Sequence, residues 1–218
     1  TIFLKHPVTL KERDHAPTVI ALGYFDGVHL GHQKVIKTAV QIAAEKGVSA
    51  SVLTFHPHPR EVLQQLDEPM HYLTPLPDKL EKIEALGVDT VYVVEFTTEF
   101  AKLTPQQFVD QYLLGLHAVQ VVAGFDFTYG RLGRGTMETM PFHSRGRFET
   151  TVVDKLEREE EKISSTKIRE LLQSGQVEEI PTYLGDFYTV KGVVVDGEKR
   201  GRTIGFPTAN VELSGRYY

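Results

Sequence analysis

The sequence contains no cysteine among its 218 residues. Disulfides, thiolate zinc sites, iron–sulfur clusters and a cysteine nucleophile are therefore excluded, and any bound metal must be held by oxygen or imidazole ligands. Long hydrophobic runs are also missing, because stretches such as Val119–Phe125 are far shorter than the roughly 20 residues of a membrane span. The first residues show no signal-peptide pattern. We therefore expect a cytoplasmic protein without a membrane partner.

An excess of positive charge is absent as well. Lysine and arginine number 24 and aspartate and glutamate 29, for a formal net charge of −5 at pH 7, which argues against nucleic acid as a partner. Hydrophobic residues make up 41% and charged residues 24% of the chain, a composition typical of globular proteins. Because a chain of this mass can bury about 70% of its unfolded surface, we expect one good core and at most a small second domain.

Alternating strand and helix patterns predict an α/β fold with a parallel sheet. Thr150–Val153 is a candidate strand, and four longer apolar segments have clear strand composition: Thr18–Phe25, Ser49–Phe55, Thr90–Phe96 and Ala118–Phe125. Helical patterns lie between these segments, so we expect parallel pairing through right-handed crossovers. The segments alternate little between apolar and polar residues, which indicates a sheet covered on both faces.

Capping signals predict where the helices begin and end. Gly47 should end the first helix, and the capping box Thr104-Pro105-Gln106-Gln107 should open a helix that runs to about Leu114. Further helices are predicted at Asp78–Leu86, at Ser164–Ser174 with Gly175 at its end, and at Val177–Leu184. The charged run Asp154–Lys162 is expected to be a solvated connection.

The sequence pattern changes near Asp186. The chain from Phe187 to Val195 has strand composition, and glycines are frequent between Gly192 and Gly215. We therefore predict two domains, residues 1–185 and residues 186–218. The second has 33 residues, fewer than the roughly 40 that fold alone, so we expect it to be part of a larger domain.

The most informative motif is GYFDGVHLGH at residues 23–32, between the first strand and the first helix. Backbone N–H groups at a helix N-terminus favour an anion, and His29 and His32 are close enough in sequence to address one phosphate group together. The glycines recur at every fourth residue rather than as GxGxxG, which disfavours a Rossmann dehydrogenase. Two alternatives stay open at this point: the histidines cap or pack the helix, or they bind a metal together with Asp26.

His29-Leu30-Gly31-His32 resembles the HxGH motif of the nucleotidyltransferases, and the longer run resembles that of the bacterial bifunctional riboflavin kinase/FMN adenylyltransferases, or FAD synthetases. The segment Ile163–Arg169 is similar to the second motif of this family, a Ser/Thr run that opens a helix with an arginine one turn later. Such residues suit a second phosphate site, the alternative being an ordinary helix N-cap. The resemblance implies a Rossmann-like nucleotidyltransferase domain with the catalytic residues His29, His32, Ser165, Thr166 and Arg169.

The resemblance also implies contacts to ATP and to a flavin. The residues expected to contact ATP are Gly23, Tyr24, Phe25, Asp26, Gly31, Gly124, Asp126 and Ser164. Two loops that follow predicted strands offer prolines and aromatic rings to a planar ligand. The flavin contacts expected there are Phe55, Pro57, Pro59 and Phe127. For Asp126 the implied role is nucleotide contact rather than proton transfer.

The stretch Gly197–Asn210 resembles the ATP- and flavin-binding segment of riboflavin kinases. The residues implied to form it are Gly201, Gly205, Pro207, Thr208 and Asn210. Thr208 and Asn210 are expected to supply oxygen ligands to Mg²⁺ and phosphate, the alternative being a turn. The catalytic glutamate of that family lies beyond this motif, so we expect a partial β-barrel kinase domain that is cut short, with doubtful kinase activity of its own.

The implied function is transfer of AMP from ATP to FMN to give FAD and pyrophosphate, with Mg²⁺ as the cofactor. Full-length members of the family also phosphorylate riboflavin, so ATP, FMN and riboflavin are the expected substrates. Two other functions stay open: a non-catalytic flavin or nucleotide sensor, and nucleotide transfer to another phosphorylated acceptor such as a pantetheine or glycerol phosphate. The oligomeric state is not predicted.

Overall fold

The computed structural model describes residues 1–64, 66, 68–158, 161–198 and 200–218. Its strands and helices follow the chain in the order β1 (Ile2–Leu4), β2 (Thr18–Leu22), α1 (Leu30–Lys46), β3 (Ser49–His56), α2 (Pro59–Leu63), α3 (Leu76–Glu84), β4 (Thr90–Glu95), α4 (Pro105–Phe108), β5 (Ala118–Gly124), β6 (Thr128–Tyr129), β7 (Gly135–Thr136), α5 (Met140–Ser144), β8 (Glu149–Val153), β9 (Glu157–Arg158), β10 (Glu161–Lys162), α6 (Ser165–Ser174), α7 (Pro181–Leu184), β11 (Gly192–Val195), α8 (Arg200–Thr203) and β12 (Asn210–Leu213). No helix among the described residues is long and apolar enough to cross a membrane.

Six parallel strands form the central sheet, in the order β1-β4-β3-β2-β5-β8. Strand β2 is buried along its whole length, with β3 on one side and β5 on the other. The chain order of the strands reverses at β2, and ligands of open α/β sheets bind at the carboxyl ends of the strands at such a point. The α/β fold class and the five strands expected from the sequence are confirmed.

Apolar clusters cover both faces of this sheet. Because successive strand residues point to opposite faces, Ile20 and Leu22 of β2 belong to one cluster and Val19 and Ala21 to the other. The first cluster is completed by the π-helix Val109–Leu114, which continues α4, and the second by α1. Each large apolar side chain buried in this way stabilises the fold by about 1.5–3 kcal/mol.

Helix ends form where the capping signals predict them. Gly47 adopts a φ of 66°, and its N–H donates to the carbonyls of Ala43 and Ala44 and so ends α1. At the start of α4, the Gln107 N–H donates to the Thr104 hydroxyl at 3.2 Å, and the Thr104 N–H donates to the Gln107 side chain at 2.9 Å. The predicted capping box is therefore confirmed.

Two strands differ from the sequence prediction. Strand β1 was not predicted, because three residues are too few to show a hydrophobic period. The strand predicted for Phe187–Val195 was wrong in its first half, since only β11 is a strand. Before it, Lys191 turns toward α3, where its ammonium lies 2.9 Å from the Asp78 carboxylate.

The charged run Asp154–Lys162 was wrongly predicted to be only a solvated connection. Strands β9 and β10 pair antiparallel within it, and Leu156 packs against an apolar cluster with Ile163. Its residues Glu159 and Glu160 lie outside the described part of the chain.

Beyond residue 185 the described chain forms a small antiparallel unit. Strands β11 and β12 pair with each other, and all of their residues are exposed. Residues 216–218 return to the first part of the chain: the Tyr72 N–H donates to the Arg216 carbonyl at 2.8 Å, and the Tyr218 N–H donates to the Tyr72 carbonyl at 2.9 Å. The domain boundary after residue 185 stays a prediction.

Replacing Leu113, which is fully buried at 0% exposure, by alanine should lower the free energy of unfolding by about 2–5 kcal/mol, because the substitution leaves a cavity. The same substitution at Leu63, 56% exposed, should change it by less than about 0.5 kcal/mol. Urea unfolding followed by circular dichroism measures both. Equal losses at the two positions would contradict the core described for this face of the sheet.

Candidate active site

A cavity of about 430 Å³ lies at the carboxyl edge of the sheet, where the strand order reverses. It is bordered by the ends of β2, β5 and β8 and by the first residues of α1 and α6. The residues of the predicted site that line it are Gly23, Tyr24, Phe25, His29, Gly31, His32, Gly124, Asp126, Phe127, Ser164, Ser165 and Thr166. The fold therefore brings the two sequence motifs together around one cavity.

His29 and His32 form a stacked pair at the start of α1. Their ring centroids are 3.5 Å apart, and the ring planes differ by 19°. His29 is the N-cap residue, and its Nδ1 accepts the backbone N–H of His32 at 3.2 Å. Because Nδ1 is an acceptor, the neutral ring carries its proton on Nε2, which can donate to a phosphate oxygen.

Burial keeps both imidazoles neutral at pH 7. Desolvation, with help from the nearby charge of Lys162, lowers the pKa of His29 to about 4. Desolvation and the neighbouring His29 lower the pKa of His32 well below its usual value. Among the described residues, the buried Nδ1 of His32 has no hydrogen-bond partner. Buried polar atoms are nearly always bonded, so this nitrogen marks a place for a ligand atom or a water.

The turn between β2 and α1 holds its residues in uncommon backbone conformations. Phe25, Gly27 and Val28 all have positive φ, at 56°, 86° and 45°. Strain of this kind costs on the order of 1–3 kcal/mol per non-glycine residue and is frequent at functional sites. A Cβ on Gly31 would lie 3.1 Å from the His29 ring, so a larger residue there would press on that ring.

Asp26 lies behind the cavity rather than in its lining. Its carboxylate accepts the N–H groups of Leu73 and Thr74 at 3.3 and 3.1 Å and pairs with Arg169. Its carbonyl accepts the hydroxyl of Ser165 at 2.8 Å. Asp26 thus connects the two motifs, and its expected contact to ATP stays a prediction.

Arg169 also does not reach the cavity. Its guanidinium pairs with Asp26 and lies 5.5 Å from the centroid of the Tyr218 ring. The role of Arg169 in catalysis stays a prediction, and a phosphate contact would require Arg169 to leave Asp26.

The second motif faces the cavity through the N-terminus of α6. Ser164 is the N-cap residue of this helix and accepts the Lys167 N–H at 3.2 Å. Ser165 and Thr166 in the first turn line the cavity. Unpaired N–H groups and the helix dipole at such an end favour an anion, so the first turns of α1 and α6 both present such an end to the same cavity.

Lys162 is a cavity residue that the sequence analysis missed. It lines the cavity, pairs with Asp126 and lies 4.9 Å from the centroid of the Phe125 ring. Its place in a run of acidic residues gave no signal of such a role. Because Asp126 is exposed, an anion in the cavity can compete with its carboxylate for the Lys162 ammonium.

A second cavity of about 580 Å³ adjoins the first. Tyr24, Phe127 and Thr128 line both cavities. The second has mainly apolar walls, which include Phe55, Pro59, Phe96, Phe100, Leu103 and Phe108. Three of the four predicted flavin residues line it, whereas Pro57 lines neither cavity among the described residues. A broad aromatic pocket beside a phosphate pocket suits a ligand that carries both a planar ring system and a phosphate.

Known protein families match the chain in two parts. The family model for FAD synthetase matches residues 11–167, and the model for riboflavin kinase matches residues 184–218. The chain belongs to the FAD synthetase family. The family resemblance of its two motifs is confirmed.

Named relatives agree with this assignment to the FAD synthetase family. A bifunctional riboflavin kinase/FMN adenylyltransferase of Bacillus subtilis (strain 168) is 55% identical over 217 residues, which cover 100% of this chain and 69% of that protein. An FAD synthetase of Listeria monocytogenes is 32% identical over 203 residues, 91% of this chain and 80% of that protein. A crystal structure described as a macrolide-efflux protein from Streptococcus pneumoniae superposes with a TM-score of 0.86 at 34% identity, covering 100% of this chain and 71% of that one.

The segment matched by the riboflavin kinase model carries the residues that resemble a kinase site. Thr208 and Asn210 are exposed and line none of the cavities described above. Gly201 is buried, and a Cβ on it would lie 2.2 Å from the Phe206 carbonyl. Gly205 has a φ of 80°. Gly205 therefore lies in the turn at residues 204–205, and Gly201 packs closely against the Phe206 carbonyl. A metal role for Thr208 and Asn210 stays a prediction.

The buried histidines should make the fold less stable at acidic pH. The folded-state pKa of His29, about 4, lies below the unfolded value of about 6.5, so the unfolded chain binds more protons between these values. The free energy of unfolding should therefore decrease as the pH falls through this window, by up to roughly 3 kcal/mol for His29 alone. Urea unfolding at several pH values measures the slope. A His29→Gln variant with the same slope as the wild type would contradict this assignment.

Proposed function

We propose that this chain transfers AMP from ATP to FMN, giving FAD and pyrophosphate. The observation that carries the proposal is the pair of adjoining cavities that share Tyr24, Phe127 and Thr128. The apolar cavity suits the isoalloxazine ring, and the polar cavity, with its two histidines and two helix N-termini, suits phosphates. The named relatives and the family model support this activity.

The reaction needs positioning more than proton transfer. An oxygen of the ionised FMN phosphate attacks the α-phosphorus of ATP, a new P–O bond forms, and the bond to the β-phosphate oxygen breaks to release pyrophosphate. No general base is needed because the attacking phosphate already carries its charge. The protein must hold two anions in line and stabilise the charge that develops on the phosphates.

The neutral histidine pair fits this requirement. His29 and His32 line the polar cavity as neutral N–H donors, because burial lowers both pKa values. When an anion enters, its charge favours the imidazolium form and raises both pKa values. We propose that the histidines then stabilise the negative charge that develops in the transition state. Ser165, Thr166 and Lys162, which line the same cavity, would hold the leaving pyrophosphate.

We propose that Mg²⁺ enters with the triphosphate. The described residues bring together no group of three or more His, Asp or Glu side chains able to hold a metal by themselves. Asp126 and Asp154 nevertheless line the cavity, and Mg²⁺ is commonly bound by one or two carboxylates together with substrate phosphates and water. When bound, the ion would neutralise charge on the triphosphate.

The segment 184–218 supports a second proposal, that it contributes to a riboflavin kinase site with its own ATP and Mg²⁺. The family model and the name of the Bacillus subtilis relative favour this activity. We also propose that the boundary between the two domains lies near residue 185. Transfer to a pantetheine or glycerol phosphate is disfavoured, because neither acceptor fills an aromatic cavity of about 580 Å³.

Incubating the protein with ATP, Mg²⁺ and FMN should produce FAD, detected by chromatography. A parallel tube with riboflavin in place of FMN should produce none unless this chain also has kinase activity. Failure to form FAD from FMN while FMN still binds would favour the non-catalytic sensor. FAD from both tubes would show that the kinase function is present.

Replacing His32 by alanine should lower kcat by about 10²-fold, the usual effect of losing one preorganised donor. The exposed His71 is the matched control, and its alanine variant should keep normal turnover. Both are measured as initial rates of FAD formation at saturating substrates. Turnover near the wild-type value in the His32 variant would remove this residue from the site.

A further inference from the structure

Lys79 on α3 is a buried cation that the proposed reaction does not use. It is 6% exposed, and its ammonium donates to the Tyr24 carbonyl at 3.1 Å, the Thr54 hydroxyl at 3.2 Å and the Phe55 carbonyl at 3.4 Å. None of these acceptors is a carboxylate. Burial of a charge costs free energy even when it is hydrogen-bonded, so the stability of the fold does not by itself explain a lysine here.

Two of the residues that accept from Lys79 line the cavities: Tyr24 lines both, and Phe55 lines the apolar one. The rings of Tyr24 and Phe55 pack with their centroids 5.0 Å apart, and both line the apolar cavity. Tyr24 lines the polar cavity as well. The hydroxyl of Thr54, which is fully buried, also donates to the Tyr24 carbonyl, at 3.0 Å. The ammonium therefore joins the turn after β2 to the end of β3.

The titratable groups that interact with Lys79 include Asp26, His32, His56 and His58. Burial lowers the pKa of Lys79 to about 8, and the negative charge of Asp26 opposes this shift by favouring the charged ammonium. The charge of Lys79 in turn contributes to the lowered pKa values of His32, His56 and His58. Burial raises the pKa of Tyr24. Of these groups, Lys79 changes charge just above neutrality, at about pH 8, whereas Tyr24 loses its proton only at much higher pH.

We propose that Lys79 is a positioning residue for FMN, which holds the Tyr24 and Phe55 backbones so that their side chains accept the flavin ring with its phosphate at the histidine pair. The proposal rests on the function proposed above. It predicts that loss of the ammonium affects FMN more than ATP, because Phe55 lines only the apolar cavity and Tyr24 lines both.

The Lys79→Met variant separates positioning from stability. Its KM for FMN should rise by about tenfold, the scale of a lost hydrogen bond from a charged group, and its KM for ATP should change by less than about twofold. Ile83→Val is the matched control, because Ile83 lies one turn later on α3 and is fully buried. It should lower the unfolding free energy while leaving both KM values unchanged. An unchanged KM for FMN in Lys79→Met, or an equal rise in Ile83→Val, would overturn the proposal.

The pH dependence of FMN binding tests the same residue in the wild-type protein. Flavin fluorescence should show weaker FMN binding as the pH rises through about 8, as the ammonium loses its proton. Lys79→Met, where it folds, should bind weakly without this dependence. A wild-type affinity that stays constant through this range would overturn the positioning role. Absence of FMN binding at any pH would instead contradict the proposed function itself.

Discussion

The buried carboxylate of Asp26 is the contact on which the geometry of the site depends. It accepts two backbone N–H groups from residues 73 and 74 and pairs with Arg169, while its own carbonyl accepts the Ser165 hydroxyl. The strained turn after β2 is thereby held against α6. A carboxylate with this many donors is well compensated for its burial, so Asp26 can hold the turn that precedes α1 close to the start of α6.

The site next to this contact has a different environment on each side of Tyr24. One side of Tyr24 is polar, with two neutral histidines and the N-termini of α1 and α6, and the other side is aromatic. Burial keeps both imidazoles of the polar side unprotonated. Under the proposed function, the charge of the bound phosphates would favour the imidazolium form, so the residues that bind the substrate would also stabilise the developing charge.

Local signals allowed much of the fold to be predicted. The capping box at Thr104 and the terminal glycine Gly47 act within one helical turn, so their effects follow from neighbouring residues. The apolar strands could be predicted for a similar reason, since a strand buried on both faces needs continuous apolar residues. The position of the first motif, GYFDGVHLGH, at the sheet edge followed from its place between the first strand and the first helix, whereas only the family resemblance associated the second motif with it.

Other features depend on contacts between distant parts of the chain. Arg169 is positioned by Asp26 and Tyr218, and Lys162 by Asp126. All three partners lie far away in the sequence, so neighbouring residues do not predict these contacts. The same is true of Pro57, which lies in a predicted flavin loop but outside both cavity walls. Residue type predicted the chemistry of the site better than it predicted which side chain reaches the cavity.

A crystal structure of the protein with FMN and a non-hydrolysable ATP analogue would show directly how the two substrates meet. We expect the isoalloxazine ring between Phe55 and Phe127, with the FMN phosphate beside the α-phosphate of the nucleotide near His29 and His32. An adenine ring in the apolar cavity, or a flavin phosphate pointing away from the histidines, would contradict it.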